Sequence, residues 1–286
     1  PPRSTLFPYT TLFRSISKNV NTIPFGCFDG CSSLTGDIII PEGVTKIDTQ
    51  AFYSCKSFDG TLYLPDSLTY IGTNAFNNCN KLTSFNLPSS VTYIGPWAFY
   101  WCDKLVPENN ALIIPEGVTD IYEYSFYACY GFGNNHATLS LPEGLNTIRS
   151  NAFRSCGFYG ELNIPSTVTN IQTYAFYDCW GFTKITFPDN TAITTIDDYA
   201  FANCTSLTNL YGIWGTKVIG DHAFANCSNI KNVSFCRVIR QNAYNYITNQ
   251  YEDVESYESM VETIGDYAFT NCISLTNLLI PASVST

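Results

Sequence analysis

Apolar positions along the chain fall in short runs that return in a fixed order. In Leu82-Thr83-Ser84-Phe85-Asn86-Leu87-Pro88, the residues Leu82, Phe85 and Leu87 fit a short strand. Pro88 ends it, because proline cannot donate to a ladder. Val91 and Ile94 then open a second extended segment. The following Ala98-Phe99-x-x-Cys102-x-x-Leu105 spaces its apolar groups three apart, which predicts a helical turn. Each unit reads as strand, turn, strand, helical turn. Pro41-Glu42-Gly43, Pro115-Glu116-Gly117 and Pro142-Glu143-Gly144 mark the corner with residues that pre-set φ or permit φ > 0.

The most regular part of the unit is a small residue, Phe, two variable residues and Cys. Its Phe/Cys pairs are Phe28/Cys31, Phe52/Cys55, Phe76/Cys79, Phe99/Cys102, Phe126/Cys129, Phe153/Cys156, Phe176/Cys179, Phe201/Cys204, Phe224/Cys227 and Phe269/Cys272. Successive cysteines lie 24, 24, 23, 27, 27, 23, 25 and 23 residues apart, and the last gap is 45, close to two periods. Ile239, Ala243, Tyr244 and Ile247 keep the offsets of a unit inside that gap. They predict an eroded eleventh copy, followed by an acidic loop from Glu252 to Glu258. A unit of about 24 residues cannot bury its own apolar face, so the units must stack and share a continuous core. With strands about 4.8 Å apart, eleven rungs give a rod on the order of 50 Å long.

The run Ile164-Pro165, Val168-Thr169-Asn170-Ile171, Ala175-Phe176 and Cys179 resembles the BspA-type leucine-rich repeats, and the resemblance extends from about Val20 to Thr286. It implies a leucine-rich-repeat solenoid of about eleven stacked units of some 23 to 27 residues, β-rich with short parallel strands. It also implies a surface or secreted interaction protein of a bacterium or mucosal protist, used in adhesion to host proteins or other microbes. The unit near Trp214 lacks its proline, the two units from Cys102 to Cys156 carry extra residues, and residues 228–260 hold the degenerate copy and acidic loop. We read 16–286 as one solenoid, incomplete at its C-terminal end, where Ile280-Pro281 opens a unit that is not finished. Pro1 to Ser15 does not match the unit and lacks the apolar segment of a signal peptide. It reads as a translated sequencing adapter. The chain reads as a fragment, so missing signal, anchor or further domains carry little weight, and the localisation rests on the resemblance, which implies the cell surface or outside the cell.

Composition narrows the function. The 24 acidic and 14 basic residues give a net charge of -10, which repels phosphate backbones and anionic lipid. No nucleic-acid partner is expected, and no apolar run approaches the roughly 20 residues that cross a bilayer.

Twelve cysteines invite a disulfide framework, but ten occupy one equivalent position per rung. Their side chains then project in parallel, which is poor geometry for bridging, and the pattern favours a ladder of buried thiols. Cys27, in the Ala position of the first rung, and Cys236, where proline is expected, are the two candidate reactive thiols. No metal site is expected, since there is no C-x-x-C and the two histidines, His136 and His222, lie far apart in repeat number. Asp197 and Asp198 are adjacent in an extended segment, so their carboxylates diverge and make no acid/base pair. No glycine-rich loop precedes a helix. No enzymatic activity and no cofactor are implied.

What remains is the variable surface. The residue before the Ala runs Gly26, Gln50, Asn74, Trp97, Tyr124, Asn151, Tyr174, Tyr199, His222, Asn242 and Tyr267. Tyr70 and Tyr93 lie near it, and the position after Phe adds Tyr53, Tyr100, Tyr127 and Tyr177. Rows of exposed aromatics serve protein interfaces and sugar platforms; equally, stacked rings can cover the edges of the rungs. Tyr70, Tyr93, Trp97, Tyr124, Tyr174 and Tyr199 are therefore the candidate ligand-binding residues. The expected role is a non-catalytic scaffold that binds a protein or glycan. The alternatives are a carbohydrate-binding module using the aromatic row, or a spacer within a larger surface protein.

Overall fold

The computed structural model describes residues 20–188, 193–245 and 250–284. The segment Pro1 to Ser15 and Ile247 lie outside them. The chain winds as a solenoid whose rungs each place one short strand on each of two walls. On the first wall, the residue pairs ending in the isoleucine of Val-Thr-x-Ile form two-residue parallel strands, from Thr22–Ile23 to Tyr93–Ile94 and again from Asp120–Ile121 to Thr263–Ile264. Their register never slips: Ile47 pairs with Ile71, Ile71 with Ile94, and Ile148 with Ile171. The second wall runs from Ile38–Ile39 to Asn277–Leu279, also parallel, with breaks at the long units between Cys102 and Cys156. The extra residues there form a tight turn at Glu108–Asn110 and the short helix Tyr130–Asn134.

Stacking builds the core that no single rung could supply. Phe28, Phe52, Phe76, Phe99, Phe126, Phe153, Phe176, Phe201, Phe224 and Phe269 form one column, with neighbouring ring centroids 5.0–5.5 Å apart. Such parallel pairs add about 0.5–1.5 kcal/mol beyond area burial.

The expected helical turn takes a different form. Around Ala51-Phe52 the chain makes linked turns in which N–H groups alternate between two targets. Those of Ala51, Tyr53 and Cys55 bond within the rung to Asp48, Gln50 and Phe52, while those of Gln50, Phe52 and Ser54 bond to Thr73, Ala75 and Asn77 of the next rung. A continuous helix would direct the N–H groups beyond its first four residues along its own axis to the residue four back, not in alternation to the next rung. The alternation requires a left-handed residue at each end, as at Gln50 (φ 58°) and Ser54 (φ 53°), and the same pair recurs in the other rungs.

The eroded eleventh unit is a second correction. Arg237–Asn245 and Gln250–Glu258 are nine-residue strands paired antiparallel, so the acidic stretch is one arm of a hairpin. The solenoid passes this insertion directly: Val218–Ile219 pairs with Thr263–Ile264, and Phe224 stacks on Phe269 at 5.3 Å. The register puts Arg237 opposite Glu258, an opposite-charge pairing that favours the antiparallel ladder.

Candidate binding face

The residue before the Ala is the left-handed residue that opens each turn segment, and this decides what its side chain can do. Trp97, Tyr124, Tyr174, Tyr199, His222 and Tyr267 all adopt φ between 56° and 62°. Bulky residues are costly there, on the order of 1–2 kcal/mol each. Ring stacking offsets that cost. Trp97 lies on Tyr124 at 4.0 Å, Tyr174 on Tyr199 at 4.8 Å, Tyr199 on His222 at 4.6 Å, and His222 on Tyr267 at 5.1 Å.

The gap at Asn151 is bridged from the neighbouring column. Tyr100 stacks on Tyr127 at 4.9 Å, and next in line is Arg154, whose guanidinium lies 5.6 Å from the Tyr127 ring, 4.8 Å from Tyr174 and 4.7 Å from Tyr177. Its Nη1 donates to Asn151 Oδ1 at 3.2 Å. Arg154 thus joins two aromatic blocks into one ribbon from Trp97 to Tyr267. It was not among the candidate residues, since one Arg in a column of mixed residues gives no sequence signal.

Tyr70 and Tyr93 stack on each other at 4.6 Å, but on the first wall, where Tyr93 meets Tyr122 and Lys46 lies over Tyr70. The structure therefore gathers Trp97, Tyr124, Tyr174 and Tyr199 into one ribbon and sets Tyr70 and Tyr93 in a shorter stack of their own. All six are half-buried, whereas Tyr267 is 66% exposed. Burial raises the phenol pKa of Tyr93, Tyr100 and Tyr174, and neighbouring phenols add to the shift.

Ring spacing close to the rung spacing means that the planes lie across the long axis. The ring faces that meet in these pairs are consumed by their neighbours, which leaves edges, hydroxyls and the outer faces at the ends of each block exposed to solvent. A sugar platform needs free faces. Ser125 replaces Ala in one rung without breaking the pattern, because its buried hydroxyl donates to Tyr122 O at 2.7 Å and also lies 3.3 Å from Gly95 O.

Among the described residues the cysteines are free thiols; Cys27 is exposed, and Cys31 and Cys236 are partly exposed. Cys31 thus joins the two expected accessible thiols, being the ladder member of the first rung. His136 packs edge-on against Tyr159, far from His222 in the ribbon. Asp198 Oδ1 accepts Asp221 N and Asp221 Oδ1 accepts Asp266 N, so these carboxylates tie rung to rung. The Asp197 carboxyl is raised by burial and by the charge of Asp198. Among the described residues no group of three potential ligands could hold a metal ion, and no helix is long and apolar enough to cross a membrane.

A rigid, register-locked repeat carrying variable residues in rows defines a leucine-rich-repeat scaffold. Residues 5–133, 130–252 and 237–286 match the BspA type leucine rich repeat region in six copies, and the chain belongs to this family. A T. pallidum leucine rich repeat protein is 26% identical with a TM-score of 0.51, over 59% of this chain and 77% of that one. A leucine-rich repeat protein from Bacteroides ovatus (22%, TM-score 0.39, 93% and 78%) and a leucine rich cell surface protein from Faecalibacterium prausnitzii (22%, TM-score 0.36, 87% and 82%) are also similar. No curated protein matches the chain.

Proposed function

We propose that this chain is a non-catalytic scaffold which engages a protein partner, at the cell surface or outside the cell, through the aromatic ribbon from Trp97 to Tyr267. The observation that carries this reading is the mutual stacking of the rings. A partner meets phenol hydroxyls and ring edges on a rigid backbone, a surface suited to hydrogen bonds with a protein and costing little side-chain entropy. The BspA-type family, with its surface and secreted interaction proteins, supports the extracellular setting and the adhesive role.

The test replaces Trp97, Tyr124 and Tyr174 together by Asn, the residue that Asn74 and Asn151 already place at this left-handed position. Adhesion of the purified protein to host-cell or microbial surfaces should weaken at least tenfold, equivalent to about 1.4 kcal/mol, with circular dichroism unchanged. Intact adhesion by the folded variant would move the binding face elsewhere or make the solenoid a spacer. Binding confined to a glycan array would favour the sugar reading, for which the exposed Tyr267 is the best-placed ring.

A further inference from the structure

The second wall carries a surface distinct from the aromatic ribbon. Ile39 pairs with Tyr63 on adjacent strands; Asn86 and Glu108, which directly follow the next two paired strands Ser84–Phe85 and Val106–Pro107, line the continuation of this face. Both apolar members face solvent, Ile39 at 46% and Tyr63 at 48% exposure. At Glu108 the sheet breaks. Asn109 and Asn110 turn through left-handed conformations (φ 56° and 55°), and the chain resumes at Ala111–Ile113 with Ile113 62% exposed. The break opens a hollow of about 160 Å³ between Leu87 and Ala111. That is comparable to a cavity of about 150 Å³ known to accept a benzene-sized group.

Three adjoining depressions follow this row, sharing Tyr63 on one side and Asn86 with Glu108 on the other. Together they make a shallow furrow. Its charged lining residues are Asp37, Glu42 and Glu108, all acidic. Asp37 Oδ1 is occupied by the N–H of Thr61, whereas among the described residues Glu42 and Glu108 have no ion-pair partner. Four strands at about 4.8 Å make the row on the order of 15 Å long, the reach of about five extended residues.

The geometry points to a docking site for an extended basic segment of a partner protein. One apolar side chain of that segment enters the hollow at Leu87 and Ala111, and its lysines or arginines meet Glu42 and Glu108. Charge selects this occupant. An acidic segment, or a second copy of a chain with net charge -10, would be repelled. The exposed Ile39, Tyr63 and Ile113 supply the apolar contact that a simple counter-ion could not use.

The probe is a fluorescent Lys-Ala-Lys-Leu-Lys-Ala-Lys peptide, with one control carrying Glu for Lys and another Ser for Leu. Fluorescence anisotropy with the whole chain should show saturable binding of the first peptide only, weakening as salt rises. Glu42→Gln with Glu108→Gln should raise Kd at least tenfold. The charge-matched pair Glu258→Gln with Asp266→Asn, away from the furrow, should change it less than twofold, as should the Trp97/Tyr124/Tyr174 variant. Equal binding of the Leu-to-Ser peptide, or equal losses from the two charge variants, would reduce the effect to diffuse attraction and overturn the proposal. A dimer that Ile113→Lys dissociates would also overturn it, by assigning the furrow to a second copy.

Discussion

The thiol of Cys79 donates to the carbonyl oxygen of Phe52, one rung earlier, across 3.1 Å. The same oxygen accepts the N–H of Cys55 within its own rung. Both of its lone pairs are therefore used. The relationship recurs from Cys55 on Phe28 to Cys272 on Phe224, with sulfur-to-oxygen distances of 2.9–3.5 Å. Each of these nine cysteines is a small buried group with one donor aimed at one acceptor, which accounts for the residue type better than size alone. Replacing Cys79 by Ala should cost about 1–2 kcal/mol, from the lost hydrogen bond and a small void. Urea unfolding measures it; a loss below about 0.5 kcal/mol would show that the bond contributes nothing.

The ladder also predicts which thiols react. Native protein treated with a thiol-specific reagent should label Cys27, Cys31 and Cys236, and protein in denaturant should label all twelve. Peptide mapping identifies the sites. Rapid native labelling of Cys129 or Cys156, both fully buried, would contradict the packing.

Alkaline stability follows from the same burial. Desolvation pushes Cys55, Cys179 and Cys272 up to about 12 from the ordinary 9.0, and Cys79, Cys102, Cys156 and Cys204 well above it. Between these values the unfolded chain releases thiol protons that the folded chain retains, so stability falls as pH rises. The contribution is complete below about pH 9 and is lost on the way to pH 12. The urea midpoint should hold from pH 7 to 8.5 and decline steadily by pH 10.5. A flat profile over that range would mean that the thiols ionise as readily in the folded state.

The period of Phe and Cys made the stack of rungs legible from the sequence, because one landmark per rung can only serve a repeating core. The helical turn was misread for a physical reason: linked turns also bring residues three apart together, so Ala98, Phe99 and Cys102 fit both. A distinguishing signal was present in Gly30, Asn78, Asn203, Asn226 and Asn271 before the cysteine, since glycine and asparagine are the residues that tolerate φ > 0. The tyrosines in the companion column concealed it. The candidate aromatics were legible as a row, but their mutual occlusion depends on rung spacing, and Arg154 as the bridge depends on three-dimensional neighbours. Ile239 and Ala243 imitated the offset of a rung, yet no Phe or Cys landmark accompanies them, and the fold treats the segment as an insertion.

That insertion offers the sharpest test of the architecture. The rungs on either side of it contact each other directly: Phe224 N donates to Ala268 O at 2.9 Å, Asn226 N to Thr270 O at 2.8 Å, and Asn271 Nδ2 to Asn226 Oδ1 at 2.8 Å. The ends of the hairpin, Arg237 and Glu258, are paired across the ladder, so their Cα atoms lie within about 5.5 Å and a two-residue link can join their neighbours. Replacing residues 237–258 by Gly-Gly should therefore keep the parallel stack and a single cooperative transition. The expected cost is about 1 kcal/mol or less, chiefly the cation–π contact of Arg237 with Trp214 at 5.2 Å. Thermal unfolding followed by circular dichroism checks it. Were residues 237–247 a true rung, their removal would unseat the stack around Phe269 and release Cys272 to labelling. Continued protection of Cys272 in the shortened chain would show that the solenoid runs from Phe224 to Phe269 without them.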